Sequence, residues 1–390
     1  MILIMQCINI EAVLIIKFEV ENHIHHYLRY IHKNNEMESN MEQKVNKRLN
    51  SIAWLRFIAI IMIVYDHLVG FRKPDYIVNR FLDALLNKPL HIIQSYGAFG
   101  VSLFFLISGF LVMNTNDGNE KISLKIIKKI IKIYLSVLIS FLSFAFFQWI
   151  LNKFMETYWA QFSKKQWIES ASLFGYFTGS GDVINGTTWF LIPLFMFYLF
   201  SIYIIVEANK NYERAVIGAE AILSVLTLGV FILKKVYFIE FAVTNNFVFI
   251  FIPMTGVILY GIFKKKMNFW KSIFVLFYNY CVFVGALYEF NTEYYTDSPY
   301  LVSYIYATTL FVLFVLGEHH FSSNGVVEFI GKIGLPIYLL HMTWGAAFIS
   351  LLESFVPFTF AVIFTLIFVI LIAWIHDKYI DKIVIQKIVK

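Results

Sequence analysis

Residues 51–70 read SIAWLRFIAIIMIVYDHLVG. One helix crossing the hydrocarbon of a bilayer takes about 20 mostly apolar residues, and this stretch supplies them. Inside it lie Arg56, Asp66 and His67. A charge at bilayer depth costs about 2.5–3.5 kcal/mol on insertion scales, so ionisable residues here are functional suspects by default. Arg56 and His67 stand eleven residues apart. At about 100° per residue that is three turns plus about 20°, which puts both on one helix face, about 16 Å apart along the axis. Asp66 points about 100° away from His67 and need not touch it. The expectation is one membrane helix with a cation toward one end and a titratable imidazole toward the other.

The rest of the chain agrees with a membrane setting. Of the 390 residues, 59% are hydrophobic and only 15% are charged, and Phe alone contributes 42. Soluble domains are about 45–50% apolar and about 25% charged. A soluble fold of this length cannot hide so much apolar surface, and a disordered chain would not carry it. Lipid admits helices or closed barrels, because both satisfy every backbone polar group. A barrel shows roughly 10-residue segments of alternating polarity. This chain instead runs in near-continuous apolar stretches, at approximately 52–71, 96–114, 131–151, 188–206, 215–233, 247–263, 272–288, 300–317, 333–351 and 358–376. The expected fold is all-α, a polytopic membrane protein with about ten transmembrane helices.

Loop charge suggests an orientation. The formal charge is +6, but the basic residues sit in short segments between apolar spans, so topology explains them and nucleic acid is excluded as a partner. With the N-terminus inside, nineteen Lys and Arg fall on the inner side and nine on the outer side. The acidic segment Glu289–Pro299 has no Lys or Arg and reads as outside. Both termini are therefore expected in the cytoplasm, with the chain crossing the cell membrane several times. Residues 1–50 read as an N-terminal extension, 51–376 as the transmembrane domain and 377–390 as a cytoplasmic tail. The extension holds His23, His25, His26 and His32. It reads as a peripheral segment, or as the product of an upstream start with Met37 or Met41 the true beginning, in preference to a metal site. The two cysteines, Cys7 and Cys281, have no nearby partner, so neither a disulfide framework nor a metal centre is expected. His319 and His320 fall in a loop and read as solvated.

Three further stretches stand out. YGAFGVSLFFLISGFLV, residues 96–112, alternates small residues with Phe and Leu. Small residues let membrane helices approach closely, which by itself is a packing signal. TTWFLIPLFMFYLF occupies 187–200 and IYLLH occupies 337–341. Taken in order with Arg56 and His67, these stretches resemble the membrane acyltransferase 3 family, whose members include bacterial polysaccharide O-acetyltransferases. The Arg–ten residues–His spacing is similar to that family's signature. Gly97, Gly100, Val101, Phe104, Phe105, Ser108, Gly109 and Phe110 resemble its second segment. Trp189, Phe190, Leu191, Leu194 and Tyr198 resemble its third, and Tyr338, Leu339 and His341 its last. Where the family usually carries an Arg-x-x-Arg run, this chain has KKIIKIYL, with Lys129 and Lys132 in place of the arginines and Leu135 where Pro is usual. Lysine keeps the charge but lacks the planar fork that grips phosphate in two places.

The resemblance implies transfer of an acyl group, most often acetyl, from acyl-CoA to a hydroxyl of a cell-surface glycan or its lipid-linked precursor. It implies no bound cofactor and no metal; acyl-CoA, commonly acetyl-CoA, is a co-substrate. His67 is the expected general base or transient acyl acceptor, since an imidazole titrates near neutral pH. Arg56, with Lys128, Lys129 and Lys132, would form a cationic patch for the phosphates of coenzyme A. Trp189 would stack on a sugar ring, and Tyr338 and His341 would bind the acceptor or position His67. Each residue also has a plainer reading. Arg56 can snorkel to headgroups, the lysines can set topology, Trp189 can belong to an interfacial belt, and the two histidines can bond between helices. The rival class is a transporter or flippase for a glycan or lipid intermediate. It too would place Arg, Asp and His in the membrane, but would consume no acyl-CoA.

Overall fold

The computed structural model describes residues 49–90, 95–114, 121–154, 162–179, 183–238, 242–290 and 297–385. Residues 1–48, with the four histidines and both alternative start positions, lie outside the described residues, while Asn50, the last residue of the expected extension, opens the first helix. Among the described residues the regular structure is entirely helical. The main elements are α1 (Asn50–Tyr65), α2 (Tyr96–Val112), α3 (Ile122–Phe154), α4 (Lys164–Ser172), α5 (Leu191–Ala208), α6 (Tyr212–Tyr237) and α7 (Phe251–Phe263). They are followed by α8 (Phe269–Phe290), α9 (Asp297–Leu316), α10 (Gly325–Lys332), α11 (Gly334–Leu340), α12 (Ala346–Leu352) and α13 (Phe358–Ile375).

Eight stretches among the described residues are long and apolar enough to cross a membrane. They run over Asn50–Gly70, Ile122–Ile150, Gly186–Ala208, Tyr212–Tyr237, Thr244–Phe263, Phe269–Phe290, Gly334–Leu352 and Phe358–Ile383. Two further apolar helices, Tyr96–Val112 and Tyr300–Leu316, are shorter. The chain is thus an all-α, multi-pass membrane protein, and these ten stretches fall where the hydropathy pattern places spans. Two boundaries differ clearly: the last stretch runs to Ile383, past the expected 376, and the third begins early. Helix α3 starts at Ile122, well before the expected 131, because KISLKIIKK alternates lysines with good helix formers and carries no breaker. At 1.5 Å per residue its 33 residues span about 50 Å, longer than the roughly 30 Å hydrocarbon core, so its lysine-bearing first turns project beyond the lipid.

Short as it is, α2 is the centre of the bundle, wrapped by α1, α7 and α9. Its glycines explain the closeness. A Cβ on Gly100 would stand 2.6 Å from the Ala59 carbonyl of α1, and one on Gly109 would stand 1.8 Å from the Pro253 carbonyl of α7. Across the same seam a Cβ on Gly256 would stand 2.2 Å from the Leu106 carbonyl. Backbone therefore meets backbone, and dispersion accumulates where lipid offers no hydrophobic drive. Phe105 and Phe110 fill the flanking space and are fully buried.

A polar knot adds direction to this packing. Asn279 of α8 donates to Glu220 of α6 at 2.8 Å and accepts from Thr255 of α7 and Tyr304 of α9 at 3.1 and 3.0 Å. Four helices are thereby joined through one amide, which donates through its NH2 group and accepts twice through its oxygen. At the start of α1, Glu318 accepts from the backbone N–H groups of Asn50 and Ser51 at 2.8 and 2.9 Å. These are orphan donors at the positive end of the helix dipole, so a carboxylate there fixes the helix in depth. His319 and His320, next in sequence, are exposed, as their loop position leads one to expect.

Candidate active site

Helix α1 keeps regular α geometry to Tyr65. Asp66–Gly70 then forms a π-turn, closed by the bond from the Phe71 N–H to the Asp66 carbonyl at 2.8 Å. A second π-turn, His341–Gly345, interrupts the span formed by α11 and α12. Such turns insert a residue into the helical ladder and concentrate at functional sites. Each of these two displays a histidine at or beside its first position, and the two turns touch.

The histidines form a directed pair. His67 Nδ1 lies 2.8 Å from His341 Nε2, with the rings stacked at a centroid distance of 5.0 Å. His341 is fully buried, and its Nδ1 lies 2.7 Å from the Tyr338 carbonyl. A carbonyl only accepts, so His341 Nδ1 carries a proton. In neutral imidazole the other nitrogen is then a bare acceptor. His341 Nε2 therefore accepts the hydrogen bond that His67 Nδ1–H donates, and His67 Nε2 is left with its lone pair. The assignment follows from the hydrogen-bond network alone.

Beside His67 opens a cavity of about 620 Å³, with His341 buried behind its wall. Asp66, His67, Phe71, Ser95, Tyr96, Trp189, Tyr300 and Tyr338 are among its lining residues, with Asn79, Asp83 and Asn87 contributed by the segment after α1. Four separated stretches thus converge. Trp189 stands 4.7 Å from Phe249 and 6.0 Å from Tyr300, ring to ring. Phe190 meets Tyr338 at 4.5 Å, and the Tyr338 hydroxyl donates to the Thr187 carbonyl. Asn185 donates to the Leu339 carbonyl at 3.0 Å and accepts from the Thr187 hydroxyl at 2.6 Å, which pins the 185–190 turn to the helix that carries His341. Outside the spans, Tyr176 backs this turn through Thr188 at 2.9 Å, and burial pushes its phenol well up, so it stays a neutral hydrogen-bonding group.

Asp66 is the residue that helix-face reasoning set aside. It is 8% exposed and lies at the N-terminus of α2, where the Ser95 hydroxyl donates to it at 3.4 Å. Ser95 also caps that helix, accepting from the Ala98 N–H at 3.2 Å. A Cβ on Gly97 would stand 2.6 Å from Asp66 Oδ2. The first glycine of the second segment therefore makes room for a carboxylate, and the helix dipole offsets that carboxylate's desolvation. Asn185 and Tyr300 were also missed. The first sits in a turn-like N-G pair and the second in an ordinary apolar run, so neither carries a local signal.

Arg56, Lys129 and Lys132 are absent from the cavity lining. Arg56 is half-buried three turns back along α1, against Gly331 of α10. Lys129 lies over the ring of Tyr198 at 4.2 Å, so the lysine run meets the third sequence segment there. Lys132 lies within electrostatic reach of Asp381. Among the described residues no group of three or more His, Cys, Asp or Glu is arranged to hold a metal.

Residues 49–377 match the family model described as an acyltransferase domain. No curated protein and no solved structure matches the chain. The match spans most of the 390 residues and every segment that meets at the histidine pair. The chain belongs to the acyltransferase 3 family, and it is a membrane-embedded acyltransferase.

Proposed function

We propose that this protein moves an acyl group, acetyl by preference, from acyl-CoA to a hydroxyl of a cell-surface glycan or its lipid-linked precursor. The observation that supports this most is His67, backed by His341, at the wall of a cavity that also exposes Asp66, Asn79, Asp83 and Asn87. His67 Nε2 is the general base. It takes the proton of the acceptor hydroxyl as that oxygen attacks the thioester carbonyl; the carbon–sulfur bond then breaks, and the departing thiolate takes the proton to leave as coenzyme A. His341 holds the reactive tautomer, and its Nε2 lone pair stabilises the imidazolium that forms, because a hydrogen bond to a charged donor is the stronger one. Tyr338 anchors His341 through its carbonyl. Trp189 shapes the wall on which a sugar ring lies.

The donor is assigned to the other end of α1. Arg56, Lys129 and Lys132 attract the phosphates of coenzyme A there. The axial distance of about 16 Å from Arg56 to His67 is one that an extended pantetheine arm bridges. With Arg56 on the cytoplasmic side, donor and acceptor enter from opposite faces, and the ten apolar stretches each cross the membrane.

Membranes containing the protein, given acyl-labelled acetyl-CoA, should release free thiol and carry label on glycan. His67→Ala protein that inserts normally should do neither. Wild-type labelling by His67→Ala would refute the assignment of the base, and glycan movement without thiol release would favour a transporter.

A further inference from the structure

We infer that the acceptor in this cavity is an uncharged sugar, without phosphate or carboxylate near the hydroxyl that is acylated; the inference rests on the acyltransferase reading above. The segment between α1 and α2 carries four cations, Arg72, Lys73, Arg80 and Lys88. On charge count it would give the cavity a cationic mouth suited to an anionic sugar.

The fold draws Arg72 and Lys73 away and neutralises Lys88 beside Asp83 at the mouth. Arg72 donates to Ser350 of α12 at 2.6 Å and lies 3.6 Å from Glu353. Lys73 stands over the Phe358 ring of α13 at 4.2 Å. Lys88 pairs with Asp83 at 3.1 Å, and Arg80 is exposed and outside the lining. What faces the cavity is Asp66, Asp83, Asn79, Asn87 and Ser95, together with the aromatic rings, and among the described lining residues no Lys or Arg.

This set suits a neutral polyol. Sugar hydroxyls donate to the two carboxylates and exchange hydrogen bonds with the amides, while the rings cover the apolar face of the sugar. A sugar phosphate or uronate would bring an anion beside Asp66, which is already buried, with no Lys or Arg among the described lining residues to meet it. The phosphates of the donor are kept out by the same charge, in keeping with their place at the other end of α1.

The test uses membranes holding the full chain and acyl-labelled acetyl-CoA. Glycans are digested enzymatically, and the sugars are separated by anion exchange into neutral and acidic pools. Label per mole of sugar should be at least about tenfold higher in the neutral pool, the least that like-charge juxtaposition in a desolvated site would produce. Equal or higher labelling of the acidic pool overturns the inference while leaving the acyltransferase reading standing. Absence of label from all glycan overturns that reading itself, and this inference with it. Asp83→Lys places a cation at the mouth and should move the ratio toward the acidic pool; an unchanged ratio overturns electrostatic exclusion as the cause.

Discussion

At the residue scale, two hydrogen bonds decide which nitrogen of His67 can act. Removing the imidazole should lower kcat by about 10²–10⁴-fold, the usual contribution of a general base. On the proposed mechanism His341 acts through His67, so its loss should be graded. His341→Ala frees the ring to turn, and misplacement of a reacting group by about 1 Å can cost about 10²-fold in rate. His341→Gln offers an amide oxygen to His67 Nδ1 and should recover part of that. Thiol-release assays on both variants check this, and equal rates for Ala and Gln would remove the orienting role. Arg56 makes a different prediction. Arg56→Ala should raise the KM for acyl-CoA with little change in kcat, because a phosphate contact is made alike in ground and transition states. A fall in kcat at unchanged KM would move Arg56 out of donor binding. Sequence alone made His67 and Arg56 visible, because a polar residue in an apolar run is conspicuous. Asp66 was discounted because regular α geometry turns it from His67, and the π-turn that begins there is not encoded in helical spacing.

At the element scale, α2 is held by backbone contact on two sides. Gly109 faces a carbonyl oxygen, which unlike a side-chain tip has nowhere to move. Gly109→Leu should therefore separate α2 from α7 and destabilise the bundle by more than the about 1–3 kcal/mol usual for overpacking. The measurement is residual fold after heating in detergent, and a variant as stable as the parent would show that the seam is not close-packed. The small-residue pattern announced such a seam, but not its partners: Gly97 serves a carboxylate, Gly100 serves α1 and Gly109 serves α7. Helix α3 shows the limit of hydropathy at this scale. Its lysines ended the expected span, yet they continue the helix, since lysine is a good helix former and only lipid rejects it.

At the scale of the whole molecule, contacts at the two ends of α1 are consistent with one another. Glu318 closes the start of α1, while Arg72 beyond its other end reaches Ser350 and Glu353. The cavity therefore opens on the side of the segment after α1, opposite Glu318. On the orientation expected from the excess of basic residues, Glu318 lies on the cytoplasmic side. In a Cys7→Ala, Cys281→Ala background, Asp75→Cys should react with an impermeant maleimide added to intact cells, and Lys264→Cys should react only after permeabilisation. Both positions are exposed. The reverse pattern would invert the topology and with it the donor and acceptor sides.

The membrane class, the helical architecture, the position of nearly every apolar stretch and the suspicion on Arg56 and His67 were determined by sequence alone. These rest on hydropathy and on the cost of charge in lipid, which act residue by residue and leave a mark at each position. The tertiary structure decided the rest. It set His341 against His67, brought Trp189, Tyr300 and Asn185 to one cavity, restored Asp66 to the site and turned Arg72 and Lys73 away from it. Those outcomes depend on which helices touch and where two π-turns shift the register. Contacts between residues such as His67 and His341, 274 positions apart, leave no local pattern to read.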